Sequence, residues 1–204
     1  MQRMAYLARL LMPLCACLLL PVAQAQESQV QAATLRAAED GLVLDADIEF
    51  ELTPRLAEVL SSGVPLYFVA EFELERDRWY WFDEKAASAH LQMRLSYHPL
   101  SRQYRLSTGL LQRNFASIDE ALSAMKRVRN WLVADRTVTF ADADYEASVR
   151  FRLDSAMLPK PFQLSALTGR EFYLETPWRR FTVSAPKHLP APVETREPSK
   201  AVAK

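Results

Sequence analysis

Apolar and polar residues alternate along most of this chain with a period of two. From 42 to 52, Leu42, Leu44, Ala46, Ile48, Phe50 and Leu52 fall on one side, and Val43, Asp45, Asp47, Glu49 and Glu51 on the other. From 66 to 75, Leu66, Phe68, Ala70, Phe72 and Leu74 oppose Tyr67, Val69, Glu71, Glu73 and Glu75. A third run sets Ala89, Leu91, Met93 and Leu95 against Ser88, His90, Gln92 and Arg94. Successive side chains of an extended backbone point to opposite sides, so each run predicts a strand with one buried face. The second and third runs flank Trp79-Tyr80-Trp81-Phe82 and predict a long antiparallel hairpin with an aromatic tip, central to a one-sided sheet.

Further strands are expected at 34–39, 102–108, 110–115 and 145–153, with the last at 172–174 and 178–183. Asp40-Gly41 marks a tight turn, and Gly109 a bend or bulge. Two helices interrupt the pattern. Thr53-Pro54 supplies an N-cap and a first-position proline for a short helix with Leu56, Val59 and Leu60 on its apolar stripe, ended by Gly63. Ser117 and Glu120 form a capping box that opens a longer helix reaching about Leu132, with Ile118, Leu122, Met125, Val128 and Leu132 as its stripe. The prolines of 158–161 predict a stiff, extended connector. One-sided strands need a second layer, and two sheets can cover each other. The expected fold is mainly β: an antiparallel sandwich of roughly seven to nine strands with two short helices at its edges. The alternative is an α+β fold in which the helices pack on one antiparallel sheet.

The termini read differently. Residues 1–25 hold Arg3 and Arg9, an apolar run, and Ala23-Gln24-Ala25 at the end, the order of a cleavable signal peptide. Residues 187–204 lack aromatics and are rich in proline, which predicts a disordered tail. A single domain over 26–186 is therefore expected, exported to the periplasm and without stable membrane insertion after cleavage. Both cysteines, Cys15 and Cys17, lie in the leader, so thiolate catalysis and cysteine metal sites are not expected in the mature chain. The whole chain is neutral, and losing Arg3 and Arg9 leaves two more acidic than basic side chains. That mixed balance speaks against nucleic acid as a partner.

Candidate chemistry is sparse. His90, His98 and His188 have no metal-ligand spacing, and no G-x-S-x-G nucleophile elbow appears. Neither a metal, a cofactor nor a catalytic residue is expected. The carboxylates of Asp45 and Asp47, and of Glu71, Glu73 and Glu75, follow from strand alternation, although a carboxylate-dependent hydrolase stays open. Binding candidates are the tip residues Trp79, Tyr80 and Trp81, the outward Arg150 and Arg152, and Trp178. Exposed rings can grip a partner or stack on a sugar, and Arg150 and Arg152 either pair with acidic neighbouring strands or form a docking face.

Several segments together resemble one family: the alternating strand of 42–52, T-P-R-L-A-E-V-L at 53–60, R-x-R-W-Y-W-F-D-E at 76–84, L-P-K-P-F-Q at 158–163 and T-P-W-R-R-F at 176–181. They are similar to the exported proteobacterial domain-of-unknown-function family 4390, over roughly residues 35–183. The resemblance implies a periplasmic protein with no assigned activity. It also implies a link to envelope signalling, since members are often encoded beside a membrane sensor kinase of the nitrogen-regulation type. The expected function is an interaction or accessory module with an envelope protein partner. The alternatives are a binder of a small apolar or glycan ligand, and the hydrolase.

Overall fold

The computed structural model describes residues 28–76, 84–138 and 143–184. In chain order these form β1 (Gln29–Ala38), β2 (Gly41–Glu49), α1 (Pro54–Ser61), β3 (Leu66–Arg76), β4 (Glu84–His98), β5 (Gln103–Thr108), β6 (Leu111–Phe115), α2 (Ile118–Met125), β7 (Arg127–Asp135), β8 (Asp144–Leu153), α3 (Lys160–Thr168) and β9 (Arg179–Ser184). Two antiparallel sheets result, a three-stranded one ordered β1-β2-β7 and a six-stranded one ordered β6-β5-β4-β3-β8-β9. The fold is mainly β, as the alternation predicts.

The long hairpin holds its expected parity. Leu66, Phe68, Ala70, Phe72 and Leu74 of β3 face Leu95, Met93, Leu91, Ala89 and Ala87 of β4. On the other side of β3, Phe68 meets Leu153, Ala70 meets Phe151 and Phe72 meets Val149. The inner face of β3 and β8 is closed by the smaller sheet, with β1 over β8 and β9 and β7 over β4. Phe50, Phe68 and Phe151, all fully buried, make the centre of the core, with ring centroids 4.9 to 6.1 Å apart. The β1–β2 turn runs so close to β7 that a Cβ on Gly41 would lie 2.0 Å from the Ala134 carbonyl oxygen, at a φ of +144°. Only glycine fits there.

Three expectations need correction. The second helix ends at Met125, and 127–135 is strand β7. β7 carries a bulge: Trp131 pairs with Leu44 and Val128 with Ala46, so Arg129 and Asn130 together oppose Asp45. Asn130 takes φ +53° there, and its N–H donates to Asp45 Oδ1 at 2.7 Å. Secondly, the proline connector runs into α3. The Pro159 carbonyl accepts the first helical N–H groups, and Pro161 sits in the first turn, where its missing donor is not required. Gln163 Nε2 ties this helix back to the carbonyls of Ala156 and Leu158, both at 2.7 Å. Thirdly, the strand expected at 172–174 is absent, and Phe172 closes a short 3-10 turn over 170–172. It receives α1: the Thr53 hydroxyl donates to the Glu171 carbonyl, and Arg55 lies over the Phe172 ring.

Candidate functional site

The tip candidates Trp79, Tyr80 and Trp81 lie outside the described residues. Arg150, Arg152 and Trp178 do come together, on the outer face of the six-stranded sheet. Arg150 stands directly across from Glu71 of β3, as the strand register requires. Both arginines converge on that one carboxylate: Arg150 Nε donates to Glu71 Oε2 and Arg152 Nε to Glu71 Oε1, the latter at 2.9 Å. Arg150 Nη1 also donates to Glu175 at 2.7 Å, and its guanidinium lies 4.5 Å from the Trp178 ring centroid. The backbone around this cluster is fixed. Thr176 exchanges hydrogen bonds with Phe151 through both its backbone N–H and its hydroxyl, and Glu175 bridges Arg152.

Glu71 is 6% exposed, whereas strand alternation alone assigns it to a solvated face. Burial pushes its carboxyl up, but the hydrogen bonds and charges of Arg150 and Arg152 outweigh that and hold it below the ordinary glutamate range. Burial likewise disfavours the Arg150 cation, and the bonds to Glu71 and Glu175 reverse the effect. These opposite charges satisfy one another inside the fold.

The opposite end of the same sheet is different. Here β5 and β6 run past the smaller sheet, and α2 bridges the gap with Ala121 and Met125 buried beneath it. The coverage is incomplete. An open cleft of about 860 Å³ lies between the inner face of β4–β6 on one side and α2 with the start of β7 on the other. Its floor is apolar, with Leu91, Met93, Leu106 and Phe115 from the sheet and Met125 and Val128 opposite. The volume lies within the ~300–1,000 Å³ usual for ligand clefts. The register explains the lining. Thr108 pairs with Leu111, Leu106 with Arg113 and Tyr104 with Phe115, so Leu111, Arg113 and Phe115 share the inward face.

The rim is charged, and some of those charges are used within the fold. The Glu120 N–H donates to the Ser117 hydroxyl, the N-cap half of the predicted capping box, while Glu120 Oε2 accepts the N–H of Ala116, the residue before the cap, at 3.2 Å. Arg129 pairs with Asp47 and donates to the Ala46 carbonyl. Arg113 rests over the Phe115 ring at 5.0 Å. Among the described residues, neither Arg113, Arg127 nor Asp119 forms an ion pair. Leu110 and Leu111, at the turn beside the cleft, are 102% and 75% exposed. Sequence reasoning missed this site. Its one local signal is Leu110-Leu111 placed directly after Gly109, an apolar pair where a turn should be polar.

No group of three or more His, Cys, Asp or Glu side chains is placed to hold a metal ion among the described residues. Nor is any helix among them long and apolar enough to cross a membrane. The family model for the domain of unknown function DUF4390 matches residues 25–182. The chain belongs to that family. The match takes in both sheets, the ion cluster and the cleft. No curated protein and no solved structure matches the chain.

Proposed function

We propose that this DUF4390 protein is an exported, non-catalytic interaction module of the cell envelope, and that the cleft between β4–β6 and α2 is its docking site. The observation carrying the reading is the contrast in how charges are used. Arg150 and Arg152 are bound up with Glu71 and Glu175, while Arg113 and Arg127 stand without ion pairs among the described residues, beside an apolar floor and two exposed leucines. Apolar surface ringed by polar groups is the usual form of a protein recognition site. The leader and the mixed charge of the mature chain support a soluble periplasmic life, and the family resemblance suggests a membrane sensor kinase as the partner.

The test is site-specific photocrosslinking in living cells of the native host. A crosslinker at Leu111 should capture a defined envelope protein, and one at Arg180, exposed on β9 at the far end of the sheet, should not. Ala124→Trp, which puts a ring into the cleft, should abolish the capture. Equal crosslinking from both positions would defeat the reading. The same apolar floor favours a second reading, a small apolar ligand. That reading would gain if native mass spectrometry of the isolated protein found a bound molecule displaced by Ala124→Trp.

A further inference from the structure

We infer that the outer face of β4–β6, on the side of the sheet away from the cleft, lies reversibly on a bilayer carrying anionic phosphate headgroups. Between Glu84 and Asp119 the chain contains no Asp or Glu. Leu91, Met93 and Leu95 face inward, so Gln92, Arg94 and Ser96 face outward. The register sets Arg94 across from Ser107 and Ser96 across from Arg105, with Gln112 and Asn114 beyond them on β6. Elsewhere the strand faces pair opposite charges: Arg36 with Asp45, Arg129 with Asp47, Lys85 with Glu73 and Arg180 with Glu146. Here the arginines have neutral neighbours. Arg94 rests over the Tyr67 ring at 5.8 Å, and Arg105 Nε donates to the Asn114 amide oxygen at 3.1 Å. Arg102 is exposed in the β4–β5 turn. None of the three forms an ion pair among the described residues. At the margin of this face stands Asp154, whose N–H donates to the Tyr67 carbonyl. Glu71 and Glu175, further along, are balanced by Arg150 and Arg152. Three arginines against Asp154 leave two net positive charges.

The kind of anion follows from where the arginines lie. Arg94 leans toward β3 and Arg105 toward β6, on opposite sides of the pair β4–β5. A single free anion would need guanidinium groups that converge. A plane of many headgroups is met by charges spread over a flat face, and a guanidinium matches phosphate oxygens in its geometry. Ser96 and Ser107 lie between the two arginines, and neither hydroxyl has a hydrogen-bond partner among the described residues. Both ends of β5 add apolar side chains. Leu100 in the β4–β5 turn and Leu110 in the β5–β6 turn are 104% and 102% exposed, the most exposed large apolar side chains among the described residues. Arginines flanked by exposed leucines suit the boundary between headgroups and acyl chains. An acidic protein would satisfy the arginines alone. The contact is peripheral: the sheet lies on the bilayer and does not span it.

The test is co-sedimentation of the protein, purified from its native host, with sucrose-loaded vesicles at low salt. Partition onto phosphatidylcholine vesicles containing phosphatidylglycerol should exceed partition onto phosphatidylcholine alone by about tenfold or more, and added salt should release the protein. Arg94→Gln combined with Arg105→Gln should weaken partition about tenfold. Lys85→Gln combined with Arg180→Gln removes the same charge from ion-paired positions of this sheet. That pair should change partition less than about twofold. Leu100→Ser combined with Leu110→Ser should weaken it about fivefold. Equal partition onto the two vesicles, no binding to either, or equal losses from the two arginine and lysine pairs overturns the inference. So do leucine variants that bind as well as the native chain. Release by inorganic phosphate at an ionic strength where chloride has no effect would make the face a site for a free anion, and overturn it. Polyglutamate binding in place of vesicle binding would give the face to an acidic protein, with the same result. The cleft lies on the inner side of these strands, so failure here leaves the crosslinking from Leu111 standing.

Discussion

The two ends of the six-stranded sheet are built from the same alternating strands and end in opposite states. At the β3–β8 end the inner face is closed by three packed phenylalanines, and a pocket near β1 and β9 measures about 120 Å³. Its outer charges are matched by strand register, Glu71 lying between Arg150 and Arg152. At the β5–β6 end the inner face opens onto a cleft of about 860 Å³, and Arg113 and Arg127 have no ion partner among the described residues. The difference follows from layer width: three strands and one eight-residue helix do not cover six strands. Folding needs the closed end. The open end is left without that cover.

The sharpest way to break this contrast is to truncate one aromatic at each end. Phe151→Ala removes a ring with no solvent exposure that touches both Phe50 and Phe68. It should cost about 3–5 kcal/mol of unfolding free energy. Phe115→Ala removes a partly exposed ring that looks into the cleft, and about 1 kcal/mol is expected. Urea denaturation of the pair checks it. Equal losses would mean that the cleft end is as much core as the other.

Next in size is the ion cluster. Glu71→Gln keeps the shape and removes the charge both arginines address, so a loss of about 1–3 kcal/mol is expected at neutral pH. The sign of the pH dependence follows from the direction of the shift. The Glu71 carboxyl is held below its ordinary value of 4.5, so its contribution is complete above that value and is lost as pH falls through the lower folded value. Thermal unfolding from pH 7 downward should show the native chain losing stability more steeply below about pH 4.5 than Glu71→Gln does. Parallel curves would remove Glu71 from the account of acid sensitivity.

The closed end was legible in the sequence and the open end was not. The β3–β4 hairpin has unbroken alternation on both arms, and each inward residue found an inward partner. β7 was hidden by its own bulge. Two residues at Arg129 and Asn130 oppose one on β2, which breaks the alternation, and Val128 and Leu132 continue the Met125 stripe at a spacing of three and four although Leu132 is exposed. That spacing, following a genuine capping box, reads as a continuing helix. The α3 helix was hidden because prolines in a first turn look like a rigid linker until the helix behind them is known. Burial of Glu71 depended on which strand lies beside β3, a choice that one strand's pattern does not carry. The cleft depended on a sheet being wider than its cover, a property of the assembled layers.

The smallest expected effect is the most telling for the open end. Leu111→Ser removes an apolar side chain from the β6 edge, and in a strand meant only to fold, a leucine facing inward should count. Leu111 is 75% exposed, so little of its area leaves water when the chain folds. Transfer free energy scales with the apolar area buried, at about 25 cal/mol per Å². The unfolding free energy should therefore change by less than about 0.5 kcal/mol, like a surface substitution. Capture of the envelope partner should respond differently, because a partner docked at the cleft would cover the same side chain. A loss of roughly tenfold in its affinity corresponds to about 1.4 kcal/mol, within reach of one leucine buried on binding. A leucine that is neutral for folding and costly for binding is held in the sequence by its partner. If the substitution instead destabilises the fold by 2 kcal/mol or more with no change in partner affinity, the edge belongs to the core and the contrast between the two ends is lost.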